Sequence, residues 1–352
     1  MRHQNIQPED MLTAYHTGKY PGEYLWGYGP FCDLLGKERV AVIYTGDSRS
    51  NHLLSRGISR ISARLLGDMK VLPSLALRLW KQRHETAAVF VTANSGIMTL
   101  VVLKRLGCGF RVYPLLLGWL DVNFSQMNRL KRWIWLSLLR HVDGVVVLGA
   151  QESQELKRLG LHNVQHLPFG VDTEFWKPIP ITEANYIFSI GADPNRDFAT
   201  LLSANLDIPT IICAPSERFN HVILPEYVTV VKGDYLDVRN WFHEAKLVVI
   251  PIVDAIRPSG QVCILEAMAT GKAVITTRTR GSWTDKLIDG ENCILVPPHD
   301  PDALRDAIQR VYTDAHLVEM LGQNARKTVL AHFTIRHYTE AVAKITRIEE
   351  SQ

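Results

Sequence analysis

The chain has 352 residues, 46% of them apolar and 21% charged, with a formal net charge of +3. That length exceeds the size at which one hydrophobic core stops growing, so two domains of roughly 170 residues are expected. The composition is that of an ordinary globular protein. Charge is uneven along the chain: residues 1–176 hold 21 Lys/Arg against 14 Asp/Glu, whereas residues 177–352 hold 18 against 22. The first half therefore suits an anionic partner, either a membrane surface or a phosphorylated acceptor. Nucleic acid is the weakest choice, because no groove-reading motif is present. Five widely spaced cysteines without a CxxC pair read as reduced thiols of a cytoplasmic protein. The polar stretch Met1–Asp10 carries no secretory h-region. The longest uncharged run, Ala87–Leu103, has 17 residues and is broken by Thr92-Ala93-Asn94-Ser95-Gly96, which suits a strand, turn and helix better than a membrane span.

In chain order, the first half alternates short apolar runs with helical patterns. Strands are expected at Leu12–His16, Arg39–Tyr44, Ala87–Thr92, Phe110–Leu115 and Val142–Leu148, with Gly36, Gly67 and Gly107 ending the intervening helices. Arg56, Arg60 and Arg64 recur every four residues and form one basic helical stripe, with Ile58, Ile61 and Leu65 opposite. Further basic residues accompany Leu75, Leu79 and Trp80, and Arg129, Lys131 and Arg132 precede Trp133 and Trp135. Such faces either lie on an anionic bilayer or pack their apolar side on a sheet and leave the arginines solvated.

The stretch Leu167–Pro180, with three prolines, reads as a hinge. Beyond it the alternation repeats, with strands expected at Tyr186–Ile190, Thr210–Ala214, Val228–Lys232, Leu247–Ile252, Ala273–Thr277 and Cys293–Val296. Strands separated by helices imply parallel sheets covered on both faces, and ligands of such sheets bind beyond the carboxyl ends of the strands. The loops expected there include 17–24, with Gly18 and Gly22, then 45–49 and 116–121 in the first half, and Gly191–Arg196, Gly233–Tyr235 and Pro258–Gln261 in the second.

The most informative stretch runs from Arg257 through Ser259-Gly260-Gln261-Val262 to Glu266 and Gly271. A Ser-Gly loop that opens a helix presents unpaired backbone N–H groups at the positive end of the helix dipole, a ready anion site. Glu266, about two turns further on among Ile264, Leu265, Ala267 and Met268, is either a solvated helix residue or a carboxylate placed to accept two ribose hydroxyls. Arg196, between a strand and the helix Phe198–Ala204, either contacts a diphosphate with its guanidinium fork or pairs with Asp193 or Asp197.

This loop and helix, with Gly281, Asp289–Pro298, Phe169–Pro178 and Gly191–Leu202, resemble the donor-sugar-nucleotide domain of retaining family-4 glycosyltransferases of the GT-B fold, in the branch with a Ser-Gly-Gln loop. The resemblance is dense from about residue 142 to 335 and only topological before that. It implies two Rossmann-like α/β domains facing across a cleft: 1–170 for the acceptor, 171–334 for the donor, and 335–352 as a helix crossing back. It implies a hexosyl transfer from a UDP- or GDP-sugar to a hydroxyl acceptor, without metal or cofactor, with Glu266 on ribose and Arg196 and Gln261 at the reacting centre. Gly191, Gly233, Arg257, Ser259, Gly260 and Val262 complete the donor contacts that it implies. The departing phosphate is proposed to take the acceptor proton. Three positions depart from the pattern. Ala192 stands where a basic residue is common, Pro258 where a Glu is common, and Leu115–Leu117 where a His is common. Acceptor contacts then fall to His16, Gly18, Gly22, Arg49 or Asp121, and the departures leave open a non-catalytic sugar-nucleotide-binding protein, or a transferase with a soluble acceptor.

Overall fold

In the computed structural model of the protein, residues 7–43, 58–63, 71–92, 96–118, 120–180, 185–281 and 284–348 are described. They form two compact units, residues 32–168 with 340–352 and residues 1–31 with 169–339. The division at residue 168 lies close to the expected boundary at 170, while residues 1–31, expected in the first domain, group with the second half. The chain starts with α1 (Pro8–His16) where a strand was expected at Leu12–His16. Pro8 presets the first helical φ, Glu9 and Asp10 occupy the positive end and His16 the negative end, which together outweigh a five-residue apolar run. Helix α2 (Tyr28–Leu35) follows. Residues 40–43 form no strand, and Tyr44, at the end of that expectation, lies outside the described residues.

The unit of residues 32–168 and 340–352 holds α3 (Pro73–Lys81), β1 (Ala88–Val91), α4 (Ile97–Arg105), β2 (Arg111–Leu116), α5 (Arg129–Leu139), β3 (Val145–Val147), α6 (Ala150–Arg158) and β4 (Val164–His166). Its four strands are parallel in the order β1-β2-β3-β4. Val145, Val146 and Val147 are fully buried, as expected of a strand covered on both faces.

The other unit holds β5 (Ile187–Ile190), α7 (Phe198–Ser203), β6 (Thr210–Cys213), β7 (Val228–Val231), α8 (Tyr235–Glu244), β8 (Leu247–Ile250), α9 (Gln261–Ala269), β9 (Val274–Thr277), β10 (Ile294–Val296), α10 (Pro301–Thr313) and α11 (Ala315–His332). Its six strands are parallel in the order β10-β9-β8-β5-β6-β7. Strand alternation divides the side chains between two cores. Phe188, Val248 and Ile250 pack with Trp176 and Phe242 on one face, while Ile187, Leu247 and Val249 pack with Phe198 and Leu201 on the other. The chain lays β6 and β7 to one side of β5, then returns to lay β8, β9 and β10 on the other. That reversal is a topological switch point, and the loops after β5 and β8 leave it side by side. Helix α12 (Ile335–Thr346) begins in this unit, and from Glu340 onward the chain groups with the first, where the Arg347 carbonyl accepts from Arg111 Nη2 at 3.1 Å.

Helix α9 ends at Gly271, which has φ +74° and meets α11 at Gly322. A Cβ on Gly322 would stand 2.1 Å from the Gly271 carbonyl oxygen, so the two backbones touch. Helix propensity alone favours Gly→Ala by about 1 kcal/mol. Gly322→Ala is expected instead to destabilise the protein by about 1–3 kcal/mol, because a backbone contact cannot relax as a flexible side chain does. The urea midpoint of the variant decides the sign.

Candidate active site

Two loops meet at the switch point. After β5, residues 191–197 turn back so that Val253 N–H donates to the Asn195 carbonyl and Asp197 N–H donates to the Pro251 carbonyl, each at 3.0 Å. Asn195 Nδ2 donates to Ser259 Oγ at 3.1 Å and ties the first loop to the opening of α9. Gly260, in the left-handed region at φ +80°, is the N-cap of α9 and gives it no side-chain cap. The first turn of α9 holds no acidic residue, so its N–H groups and dipole stand uncompensated by a carboxylate.

Arg196 lies beneath this junction, only 5% exposed. Its Nε donates to the Ile190 carbonyl at 2.9 Å, and its buried Nη1 has no hydrogen-bond partner among the described residues. Two glycines make room for it. A Cβ on Gly191 would stand 2.2 Å from Arg196 Nε, and one on Gly260 would stand 3.1 Å from Nη1. Neither Asp193 nor Asp197 neutralises Arg196. Asp193 instead pairs with Arg257 Nη2 at 2.5 Å, and Asp197 with His299 Nδ1 at 2.9 Å.

Glu266, one helix face away, is 5% exposed. Burial drives its carboxyl well above the ordinary carboxylate range, the Glu23 charge adds to the rise, and Arg196 opposes it. Cys263, one turn earlier, is pushed up to about 11, chiefly by burial, against the pull of Arg196. Glu23 comes from the N-terminal segment. It too is pushed up, to about 8, by burial, while hydrogen bonds from Trp176 and Asp172 hold it down. Tyr235, which opens α8 after Gly233, is raised first by burial and then by Glu266 and Glu23. Its ring meets Tyr20 edge-on at 5.8 Å and Tyr24 at 5.6 Å.

Comparison with known proteins bears on this unit most directly. Residues 208–314 match the family model described as glycosyl transferases group 1. Over 114 residues the chain is 29% identical to the lipopolysaccharide core biosynthesis mannosyltransferase LpcC of Rhizobium leguminosarum bv. viciae, a match that spans 32% of this chain and 31% of that relative. Among solved structures, sucrose-phosphate synthase from Thermosynechococcus elongatus superposes with a TM-score of 0.64 at 21% identity, over 78% of this chain and 77% of that one. HepE of Anabaena in complex with UDP gives 0.65 at 15% identity, over 80% and 83%. A glycosyltransferase from Rickettsia africae gives 0.66 at 14%, over 85% and 83%. The fold is GT-B.

Within the unit of residues 1–31 and 169–339, Gly191, Arg196, Arg257, Ser259, Gly260, Gln261 and Glu266 lie on the two switch-point loops and α9. Val262 follows in the first turn of α9, partly exposed. Gly233 packs tightly instead, since a Cβ there would stand 2.6 Å from both Asp237 Cβ and the Trp241 ring. The acceptor candidates are divided between the two units. His16 ends α1 and is exposed, Gly18 has open space around it, Gly22 is buried, Asp121 belongs to the other unit, and Arg49 lies outside the described residues. Arg56 and Arg64 also lie outside them, and Arg60 is exposed. Reading the sequence singled out neither Glu23 nor its partners Asp172 and Trp176. The available signal was a lone carboxylate in the aromatic run Tyr20-Pro21-Gly22-Glu23-Tyr24-Leu25-Trp26, as Glu266 is a lone carboxylate among aliphatic neighbours.

The raised carboxyls set the direction of a pH effect. A carboxyl raised from 4.5 to about 8 in the folded state, as Glu23 is, keeps a proton that the unfolded chain has already lost. Its contribution is full below the unfolded value and disappears as pH rises through the folded one. Folding free energy is therefore expected to decline between about pH 5 and 8, less steeply in Glu266→Gln. Urea midpoints across that range measure both slopes.

Proposed function

We propose that the protein is a retaining glycosyltransferase that moves a hexosyl group from a UDP- or GDP-hexose to a hydroxyl of a lipid-linked or cell-envelope acceptor. The observation that carries this reading is the buried, partnerless Arg196 Nη1 beside the uncapped start of α9, with Glu266 further along the same helix. A nucleotide sugar lays its diphosphate on those N–H groups and Arg196, and its ribose hydroxyls donate to Glu266. The hexosyl C1–phosphate bond breaks as the acceptor oxygen bonds to C1 on the same face. The acceptor proton passes to the departing phosphate, so no protein base is required. Arg196 stabilises the charge that grows on the leaving diphosphate, with Gln261 beside it at the sugar. The diphosphate is neutralised by protein groups, without a metal. Support comes from the match to glycosyl transferases group 1, from the mannosyltransferase name of the curated relative, and from HepE, whose structures hold UDP and UDP-glucose.

One observation favours a second reading, a sugar-nucleotide-binding protein without transfer. Arg257, the cation that would replace the one missing at Ala192, is already paired with Asp193.

The acceptor half is read as peripheral to an anionic membrane at its cytoplasmic face. No described helix is long and apolar enough to cross a membrane. On α5, Leu130 and Trp133 are each 64% exposed among Arg129, Lys131 and Arg132, and Ile61 is 65% exposed beside Arg60. This is an apolar and basic combination that anionic bilayers bind.

Calorimetry and turnover with UDP-glucose and GDP-mannose test the donor reading. Glu266→Ala is expected to weaken binding about 10²-fold or more, the loss of two charge-assisted hydrogen bonds. Arg196→Ala is expected to lower kcat about 10²-fold, with partial recovery in Arg196→Lys. Unchanged affinity in the first variant removes Glu266 from the site, and tight binding without transfer to any acceptor favours the second reading. Vesicle sedimentation tests the surface: binding to anionic vesicles that salt reverses is expected, and equal, negligible pelleting with neutral and anionic vesicles contradicts it.

A further inference from the structure

The short stretch of backbone that carries Arg196 is held chiefly by one side chain. Arg218 Nη1 donates to the Asp193 carbonyl at 2.6 Å, and Arg218 Nη2 donates to the carbonyls of Pro194 at 3.2 Å and Arg196 at 2.9 Å. Asn195, whose carbonyl lies between these, accepts from Val253 N–H at 3.0 Å. Asn195 N–H donates to Asp193 Oδ1 at 2.7 Å, and Arg196 N–H to the Asp193 carbonyl at 3.0 Å. Every carbonyl from 193 to 196 is thus satisfied, and among the described residues those of Pro194 and Arg196 have no other donor.

Arg218 is itself fixed. It belongs to the short 3-10 turn Ser216–Phe219, which follows β6, the strand paired with β5. Parallel neighbours end at one edge of the sheet, so the loops after β5 and β6 emerge together. The guanidinium lies over the Phe198 ring, 5.0 Å from its centroid, and that ring meets Phe219 at 5.6 Å. Both rings are buried, and Phe198 is the first residue of α7, directly after the loop. A planar fork with donors on two nitrogens can span three carbonyls of a bent backbone. An ammonium has all its donors on one atom and cannot cover the same spread.

Fixing this backbone matters because Arg196 has few contacts of its own, one acceptor for Nε and none for Nη1. A buried guanidinium so poorly paired gains by moving out to water unless its backbone is held. We propose that Arg218 is a positioning residue of the donor site: by binding the carbonyls of Asp193, Pro194 and Arg196, it fixes the backbone from which Arg196 reaches the diphosphate. This rests on the donor reading of Arg196. Arg218 touches no substrate, so its effect on the ligand passes through Arg196 and disappears when that guanidinium is removed.

A double-mutant cycle tests this, with calorimetric affinities for UDP-glucose and GDP-mannose measured in Arg218→Ala, Arg196→Ala and the double variant. Arg218→Ala is expected to weaken binding about tenfold or more, since misplacing a binding group by about 1 Å is costly. Arg218→Lys is expected to recover only part of that loss. In the Arg196→Ala background, Arg218→Ala is expected to cost less than about threefold further. If Arg218→Ala does not fold, Arg218→Lys takes its place in the cycle, with a loss expected only while Arg196 is present. A merely structural role would lower the urea midpoint and leave the same factor in both backgrounds. That result, or parent affinity in the Arg218 variants, overturns the proposal while Arg196→Ala still weakens binding and the donor reading stands. If neither probe binds, or if Arg196→Ala binds both as the parent does, the donor reading of Arg196 fails and the proposal fails with it.

Discussion

The structure around the switch point depends on placing one guanidinium out of water. Burying an isolated charge is costly, and among the described residues Arg196 donates from Nε to the Ile190 carbonyl, finds no hydrogen-bond partner for Nη1 and forms no ion pair with a carboxylate. Several features of the sequence follow from this. Gly191 must lack a side chain because Arg196 occupies the space that a Cβ would take, and Gly260 because it has φ +80° and a Cβ there would meet Ile252 Cδ1 at 2.6 Å and Arg196 Nη1 at 3.1 Å. The loop after β5 must be stitched to the one after β8, as Asn195, Asp197 and Ser259 do, or the cation would swing out to solvent. Arg196 in turn opposes the rise that burial gives the Glu266 carboxyl.

That arrangement leaves the empty site electrostatically unfinished: an uncapped helix start and a buried N–H donor without acceptor stand beside a carboxyl that favours its proton. A ligand with an anion at one end and a diol at the other satisfies all three at once. An anion alone leaves Glu266 unsatisfied, and a neutral sugar leaves Arg196 so. In the proposed function this is how the site selects a nucleotide over free phosphate or free hexose, through groups that are costly to leave unpaired rather than through contact area.

Legibility in the sequence followed how local the deciding forces were. Strands of the second sheet fall where the apolar runs placed them, as at Thr210–Cys213 and Val228–Val231, because both faces of a parallel sheet are buried and leave continuous Val/Ile runs. The Gly260 N-cap and the Gly271 stop were visible for the same local reason. At Leu12–His16 the apolar run was too short to resolve strand from helix, and the end charges and Pro8 decided for helix. The partner of Arg257 and the place of Glu23 were beyond reach, since each rests on a contact distant in sequence: Arg257 with Asp193, and Glu23 with Trp176. The aromatic setting of Glu23 marked it as buried, but nothing in the sequence said against what.

The most direct measurement is a crystal structure of the protein grown with UDP-glucose or GDP-mannose. The account predicts diphosphate oxygens within hydrogen-bonding distance of Arg196 Nη1 and the first N–H groups of α9, with both ribose hydroxyls on Glu266. A nucleotide bound elsewhere, with Arg196 still buried and its Nη1 still without a partner, would contradict it.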